Sequence, residues 1–471
     1  MFCSILNDVL GPVMRGPSSS HTAGSYHIAV TARALLGEIP VAAEFTFDPD
    51  GSYAETYWQQ NADKAFAAGL LGWKLTDVRF ARALDDARRS GTGIVFRVAK
   101  LARTDHPNMV FITLTGRSGK RLDLLAKSTG GGTFAVVEVN GRMVAIDGKD
   151  AVEVAGVGTA EPVYYLRKGE PLFTSAAEMI TYVRGKSLSL GKAALRYEAR
   201  LLGMAEKEAA AEMERRFEIM ESSVKEGLDP RKIKMKLLQP TAHKILEAER
   251  RRILPLGGVP TRAAARALAV MHSSNSGGVV CAAPTGGSSG VIPGVAVTLG
   301  RDLGRTPEQI IKALFAAGAV GLVFAQRATF AAEIAGCQVE IGAAGAMAAA
   351  MIVEAAGGTA RQACDAAAVS LQNSMGSVCD LVQGLCEIPC HTRNAAAAAA
   401  AFISADLVMG GYQNPIPLDE TVDASIASGR MLPPELRVTS RGGLAVTPSA
   451  LSLGKKTLRQ KKDLISPGEG I

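Results

Sequence analysis

The stretch LGKAALRYEARLLGMAEKEAAAEMERRFEIM, residues 190–220, divides the chain into two kinds of sequence. It reads as one long amphipathic helix, because Leu195, Leu202, Met213, Phe217 and Met220 share a stripe while Glu and Arg take the opposite side. After it, helical patterns follow at 261–271, 307–321, 344–356, 360–371 and 395–409, with start signals such as Thr306-Pro307 and Thr359. Before it, β-branched and aromatic runs at 41–47, 94–98, 109–115 and 134–139 read as strands, and Asn140-Gly141 marks a hairpin turn. A helix is expected between the first two, over 55–71. The expected fold is an α+β N-terminal domain (a small mixed sheet with helices) over 1–165, followed by a larger all-α domain over 191–454. A linker is expected over 166–190 and a basic tail over 455–471. The segment 228–258, with Arg250, Arg251 and Arg252, reads as irregular and surface-lying.

A chain of 471 residues suits two or three domains, and 47% hydrophobic against 21% charged residues is a globular balance. The formal charge of +7 is mostly local, since Lys455, Lys456, Arg459, Lys461 and Lys462 stand in the tail with no acid among them. Such an end is usually solvated, so no nucleic-acid partner is expected. The first residues lack a basic n-region, and Gly, Pro or charge interrupts every apolar run short of ~18 residues. A soluble, cytoplasmic protein with no membrane partner is the expectation. Seven Cys in that setting point away from disulfides and towards metal or catalysis.

Cys337, Cys379, Cys386 and Cys390 form the densest group of soft ligands. Gly336, Gly376 and Pro389 keep the flanking backbone out of regular helix, as thiolates converging on one metal centre require. Two other readings stand beside this one. Free cysteines commonly serve as small buried hydrophobes, and Cys386, Cys390 and His391 have the residue types of a zinc site. Gly16-Pro17-Ser18-Ser19-Ser20-His21-Thr22 supplies hydroxyls and backbone N–H groups around a histidine, a setting that suits a carboxylate. Its bland reading is a helix start, with Ser20 or Thr22 as cap. Ala283-Pro284-Thr285-Gly286-Gly287-Ser288-Ser289-Gly290 is a second loop of that kind, although Gly-rich turns are common.

Gly336-Cys337-Gln338, the block from Cys379-Asp380-Leu381-Val382-Gln383-Gly384 to Ile388-Pro389-Cys390, and Gly442-Gly443-Leu444-Ala445 resemble the catalytic part of iron–sulfur-dependent L-serine dehydratases. The segment from Gly16 to Thr22 resembles the signature of that family's smaller domain, and the matching segments run in the order of its single-chain form. The resemblance implies that Cys337, Cys379 and Cys390 hold a [4Fe–4S] cluster with one iron left free of protein thiolate. An open iron is a Lewis acid for a departing hydroxyl, as an open zinc position is. Loss of water from L-serine would yield an enamine, which hydrolyses to pyruvate and ammonia. His21 becomes the acid–base candidate. Ser18, Ser19, Ser20, Thr22, Thr285, Gly287, Asn373 and Arg393 become candidates for holding a small amino-acid substrate. Cys386 is either a bystander or a fourth ligand, and Cys3, Cys281 and Cys364 read as structural. The small domain resembles an anion-binding regulatory domain, so a homodimer is expected.

Two departures matter. Gln60 stands where the family has a histidine implicated in catalysis, and glutamine exchanges no proton at neutral pH. The family's Cys-Asp-Pro-Val-Ala-Gly is replaced by Cys379-Asp380-Leu381-Val382-Gln383-Gly384. These leave open a cysteine desulfidase, a dehydratase of a larger β-hydroxy amino acid, or an inactive serine-binding homologue. A pyridoxal-phosphate dehydratase is a further rival, but no lysine has a convincing Schiff-base setting.

Overall fold

The structure, a computed structural model, describes residues 2–453; the basic tail expected at 455–471 lies outside the described residues. In the N-terminal domain the strands β1 (Pro40–Phe47), β2 (Gly93–Val98), β3 (Met109–Gly116), β4 (Arg121–Gly130), β5 (Thr133–Val139) and β6 (Arg142–Ile146) form one mixed sheet in the order β2-β1-β3-β4-β5-β6. Only β1 and β2 pair in parallel. Alternation sets the buried face: Ala43, Phe45 and Phe47 point inward while Glu44 and Thr46 do not. Phe45 packs on Phe66 of the helix Ala62–Leu70 with ring centroids 4.3 Å apart, and Tyr53 stacks on Phe47 at 5.1 Å. Asn140 and Gly141 both take positive φ, as a two-residue hairpin turn demands.

The strand β4 carries no signal strong enough to be expected from sequence. Arg121, Asp123 and Lys127 break its apolar run, yet they alternate with buried Leu122, Leu124 and Ala126. The helix expected over 55–71 is two helices, Ser52–Thr56 and Ala62–Leu70. Asn61 at φ 60 ends the first segment's continuation, and Gln60 falls in the break.

The C-terminal part is helical, as expected, with corrections to its elements. Residues 190–220 are not one helix but two, Leu190–Leu202 and Glu206–Gly227. Gly203, at φ 62, closes the first; its N–H and that of Met204 reach back to the carbonyls of Arg200 and Ala199. The expected linker contains the helix Ala176–Lys186, capped by Ser175, and the segment expected to be irregular contains the helix Ala242–Arg250. Pro307–Arg327 and Ile341–Ala355 cross the interior of the domain. Pro307–Arg327 and the stretch Cys337–Ala355, which contains the second of these helices, are long and apolar enough to span a membrane, and the residues of each are mostly buried inside the protein.

The first fifteen residues belong to the helical part rather than to the sheet domain. Ile5 and Val9 press into Gly318 and Gly321, where a Cβ would stand 2.4 and 2.1 Å from their methyl groups. The buried Glu198 carboxylate accepts the N–H groups of Ile5 and Leu6 at 2.7 and 2.9 Å. Val13–Arg15 then pairs antiparallel with Val279–Cys281 and delivers the chain to Gly16. Asp8 and Lys149, both buried, bridge the two parts at 3.0 Å.

Candidate active site

Ser18 accepts the His21 N–H at 3.2 Å and opens a wide turn, Ser19–Ala23, that runs into the helix Gly24–Leu36. The helix cap is therefore Ser18, not Ser20 or Thr22. This turn meets the second Gly-rich loop backbone to backbone, since a Cβ on Gly286 would lie 2.7 Å from the Ser19 nitrogen. Asn394 staples that loop to the helix Cys390–Met409, donating to Gly287 O at 2.8 Å and accepting from Gly290 N at 3.1 Å. Between the two loops and the cysteines lies a narrow cavity. Ser18, Ser19, Ser20, Gln60, Thr285 and Gly287 form part of its wall, with Cys379, Cys386 and Cys390 on another side.

Cys337, Cys379, Cys386 and Cys390 are all buried and come together here. The Cys337 thiol contacts that of Cys379, and the Cys386 thiol contacts that of Cys390. These thiol contacts, together with burial, hold Cys379 and Cys386 well above the ordinary thiol range. The Cys337 and Cys379 sulfurs and a Glu340 carboxylate oxygen lie within 4.8 Å of one another, a group that can hold a metal ion. His391 Nε2 accepts from Asn275 Nδ2 at 3.0 Å. Cys3, Cys281 and Cys364 are buried elsewhere.

Each cysteine segment has its own support. Cys379-Asp380 pairs in parallel with Arg437–Thr439. The buried Asp380 accepts Arg393 Nη2 at 3.0 Å and Leu444 N–H at 2.7 Å. Gly443, at φ 57, lets the chain pass that carboxylate; a Cβ there would be 2.4 Å from Asp380 Oδ2. Arg393 also donates to Val378 O at 2.6 Å and approaches Cys337 Sγ at 3.7 Å, so it braces the cysteines instead of reaching the front cavity. The Glu387 carboxylate, buried beside Cys386, accepts three backbone N–H groups from Lys236, Leu237 and Leu238 at 2.8–2.9 Å. In the altered Cys379–Gly384 motif, Leu381 faces the cavity while Gln383 turns away to Ala450 O.

Thr22, Asn373 and His21, like Arg393 and Cys337, are not on the wall of the front cavity. Thr22 donates its hydroxyl to Gln60 O at 2.8 Å. Asn373 donates to Val369 O at 2.9 Å and lines a separate cavity behind Cys337, with Arg393, Ser374 and Ser377. His21 is fully buried behind Ser20 and does not reach the wall. Burial pushes its imidazole down to about 4, and the carboxylate of Glu333, 3.7 Å from Nδ1, pulls part of the way back.

Sequence reading passed over two carboxyls that do reach the wall, Glu333 and Glu340. Glu333 accepts Ser20 Oγ at 2.6 Å and Asn108 Nδ2 at 2.9 Å. Glu340 accepts the Thr285 hydroxyl, and burial raises it to about 7, within reach of proton exchange at neutral pH. Their nearness to Gly336-Cys337 was the one available signal, because a Glu close to a ligand cysteine in an apolar stretch has no solvent role.

A family model described as the serine dehydratase alpha chain matches residues 185–445. The probable L-serine dehydratase alpha chain of Bacillus subtilis (strain 168) is 37% identical over 285 residues, covering 60% of this chain and 95% of its own length. The L-serine dehydratase of Mycobacterium tuberculosis (strain CDC 1551 / Oshkosh) is 29% identical over 468 residues, 92% of this chain and 95% of its own. L-serine dehydratase TdcG of Escherichia coli (strain K12) is 29% identical over 464 residues, 92% and 96% of the two chains. With the alpha-chain region matched by the family model and whole-length relatives spanning the sheet domain as well, the chain belongs to the serine dehydratase family in its single-chain form.

Proposed function

We propose that this protein is a lyase that removes water from L-serine to give pyruvate and ammonia, using a [4Fe–4S] cluster held by Cys337, Cys379 and Cys390. The observation that carries the reading is the meeting of three buried thiols, Cys379, Cys386 and Cys390, with the Ser18–Ser20 turn at one cavity, with the buried Cys337 thiol in contact with that of Cys379. The donor set fits the group: converging thiolates favour iron–sulfur over hard cations. When bound, the cluster supplies a Lewis-acidic iron that stabilises the departing hydroxyl.

The remaining work falls to side chains. The hydroxyls of Ser18 and Ser19 and the loop at Thr285 and Gly287 are the donors available to a substrate carboxylate. Glu333 and Glu340 are the acceptors available to its ammonium. Gln60 can hydrogen-bond the substrate but not take its proton, so the base must be another wall group. The cavity lies at the seam of the two domains, where small-molecule sites concentrate. A cytoplasmic homodimer completes the proposal, with the oligomer read by light scattering.

The test is anaerobic reconstitution with iron and sulfide, followed by iron analysis and 2-oxo acid assays with serine, threonine and cysteine. Pyruvate from serine at full iron loading is expected. Sulfide from cysteine without pyruvate from serine would move the assignment to a desulfidase, a reading that Gln60 favours. Serine binding without turnover would mark an inactive homologue.

A further inference from the structure

His21, Ser20 and Glu333 form a connected line that crosses from the sheet domain to the helical one. Ser20 Oγ lies 3.0 Å from His21 Nδ1 and 2.6 Å from Glu333 Oε1. Thr56 Oγ1 lies 2.8 Å from His21 Nε2 and donates its own hydrogen to Ser52 O at 2.6 Å. A carbonyl accepts only, so Thr56 has no hydrogen left for the ring, and Nε2 must carry the proton in that contact.

The other nitrogen is then decided by Ser20, which has one hydrogen and two claimants. If Ser20 donates to an ionised Glu333, its oxygen can only accept from Nδ1–H, and the ring is an imidazolium. If Ser20 donates to Nδ1, the ring is neutral, and Glu333 must be protonated and donate to Ser20. A neutral ring beside an ionised Glu333 would set two lone pairs against each other. Ser18 Oγ, at 3.4 Å from Nδ1, is too distant to act as more than a weak donor. Both satisfied arrangements hold the same number of protons and interconvert by two coupled transfers, between Glu333 and Ser20 and between Ser20 and His21.

Only part of this line meets the cavity. Ser20 and Glu333 are on its wall and His21 is behind them. We propose that Glu333, Ser20 and His21 work as one proton-carrying unit across the domain seam, with Glu333 the member that faces the substrate and takes its Cα proton. This rests on the dehydration reading above and supplies the base that Gln60 cannot be. As the Cα–H bond breaks, its electron pair becomes the Cα–Cβ π bond, the Cβ–O bond breaks with its pair on hydroxide, and the proton held by Glu333 leaves with that hydroxide as water. His21 is a positioning residue in this scheme: its ring sets, through Ser20, how readily Glu333 holds a proton. The other titratable groups facing Glu333 are His106, Tyr53 and Glu340, and they bear on the same equilibrium.

The experiment uses the reconstituted full chain and L-serine in deuterated water, following Cα hydrogen exchange by NMR together with pyruvate formation. Glu333→Gln, which keeps the shape, is expected to lose both by about 10²–10⁴-fold at unchanged iron content. Glu333→Asp is expected to recover part of that loss. Ser20→Ala is expected to slow both and to displace the acid limb of the kcat/KM profile, which loss of packing alone would not move. Iron-replete Glu333→Gln exchanging or eliminating within about threefold of wild type would overturn the proposal. Wild-type protein that exchanges the Cα hydrogen without forming pyruvate would overturn the dehydration reading and leave this unit standing; iron-replete protein doing neither would overturn both.

Discussion

Gly286 and Ser19 touch through their backbones: a Cβ on Gly286 would stand 2.7 Å from the Ser19 nitrogen and 2.9 Å from Pro17 O. Neither atom belongs to a flexible side chain, so the contact has no slack. It joins the two loops that face the cysteines, and it joins the two domains.

Gly286→Ala is therefore expected to push the loops apart, costing about 1–3 kcal/mol as overpacking does. Activity should fall with the melting temperature while iron content holds, because the cysteines sit on other segments. Gly185→Ala, in open space on the helix Ala176–Lys186, is the control and should lose nothing. Thermal melts and iron-to-protein ratios check both.

Cys337→Ala, Cys379→Ala and Cys390→Ala are each expected to lose iron and dehydration together, and Cys386→Ala to retain both. The four thiols are buried in one place, so loss of packing should be similar for all of them. A ligand role is what separates three from the fourth. Iron analysis after anaerobic reconstitution reads the difference, and full activity in any of the first three would refute the ligand set.

Arg393 holds Asp380, Val378 O and the Cys337 sulfur from one guanidinium. Lysine offers no planar fork, so Arg393→Lys should leave Asp380 buried with a poorer partner. Removing the charge with Arg393→Ala should cost about 3–5 kcal/mol, the usual loss on stranding a buried carboxylate. Faster iron release to a chelator is the expected signature.

His27 provides a pH prediction away from the site. It is buried, with Nδ1 2.8 Å from Gly132 O, and burial lowers it from 6.5 to about 4. A depressed histidine favours folding while neutral, so its contribution is complete above pH 6.5 and is lost as pH falls towards 4. At pH 5 the loss is about 2 kcal/mol. Other buried histidines titrate in the same direction, so the measurement is the difference between wild-type and His27→Gln unfolding at pH 7 and pH 5. The wild type should lose more.

Much of the fold was legible because its signals are local. The strand at Pro40–Phe47 alternates cleanly, and Asn140-Gly141 has the residues a tight hairpin turn needs. The break at Gly203 was hidden because Leu195, Leu202 and Met213 stay on one stripe across it, and hydrophobic periodicity does not register a three-residue change of direction. The strand Arg121–Gly130 was hidden for the opposite reason, its solvent face being charged enough to mask the buried one.

The cysteines and the Ser18–His21 turn could be picked out from the chain alone, since soft ligands and clustered hydroxyls are informative by residue type. What stands behind them could not. Residue type says that His21 can exchange a proton; only packing says that it is sealed behind Ser20, with Glu333 of the other domain in front. Glu333 is hundreds of residues from His21 along the chain, so no local pattern joins them. Local sequence determines which groups have the chemistry; burial and the meeting of distant backbones decide which of them reach the cavity, because desolvation and hydrogen-bond supply are properties of the assembled interior.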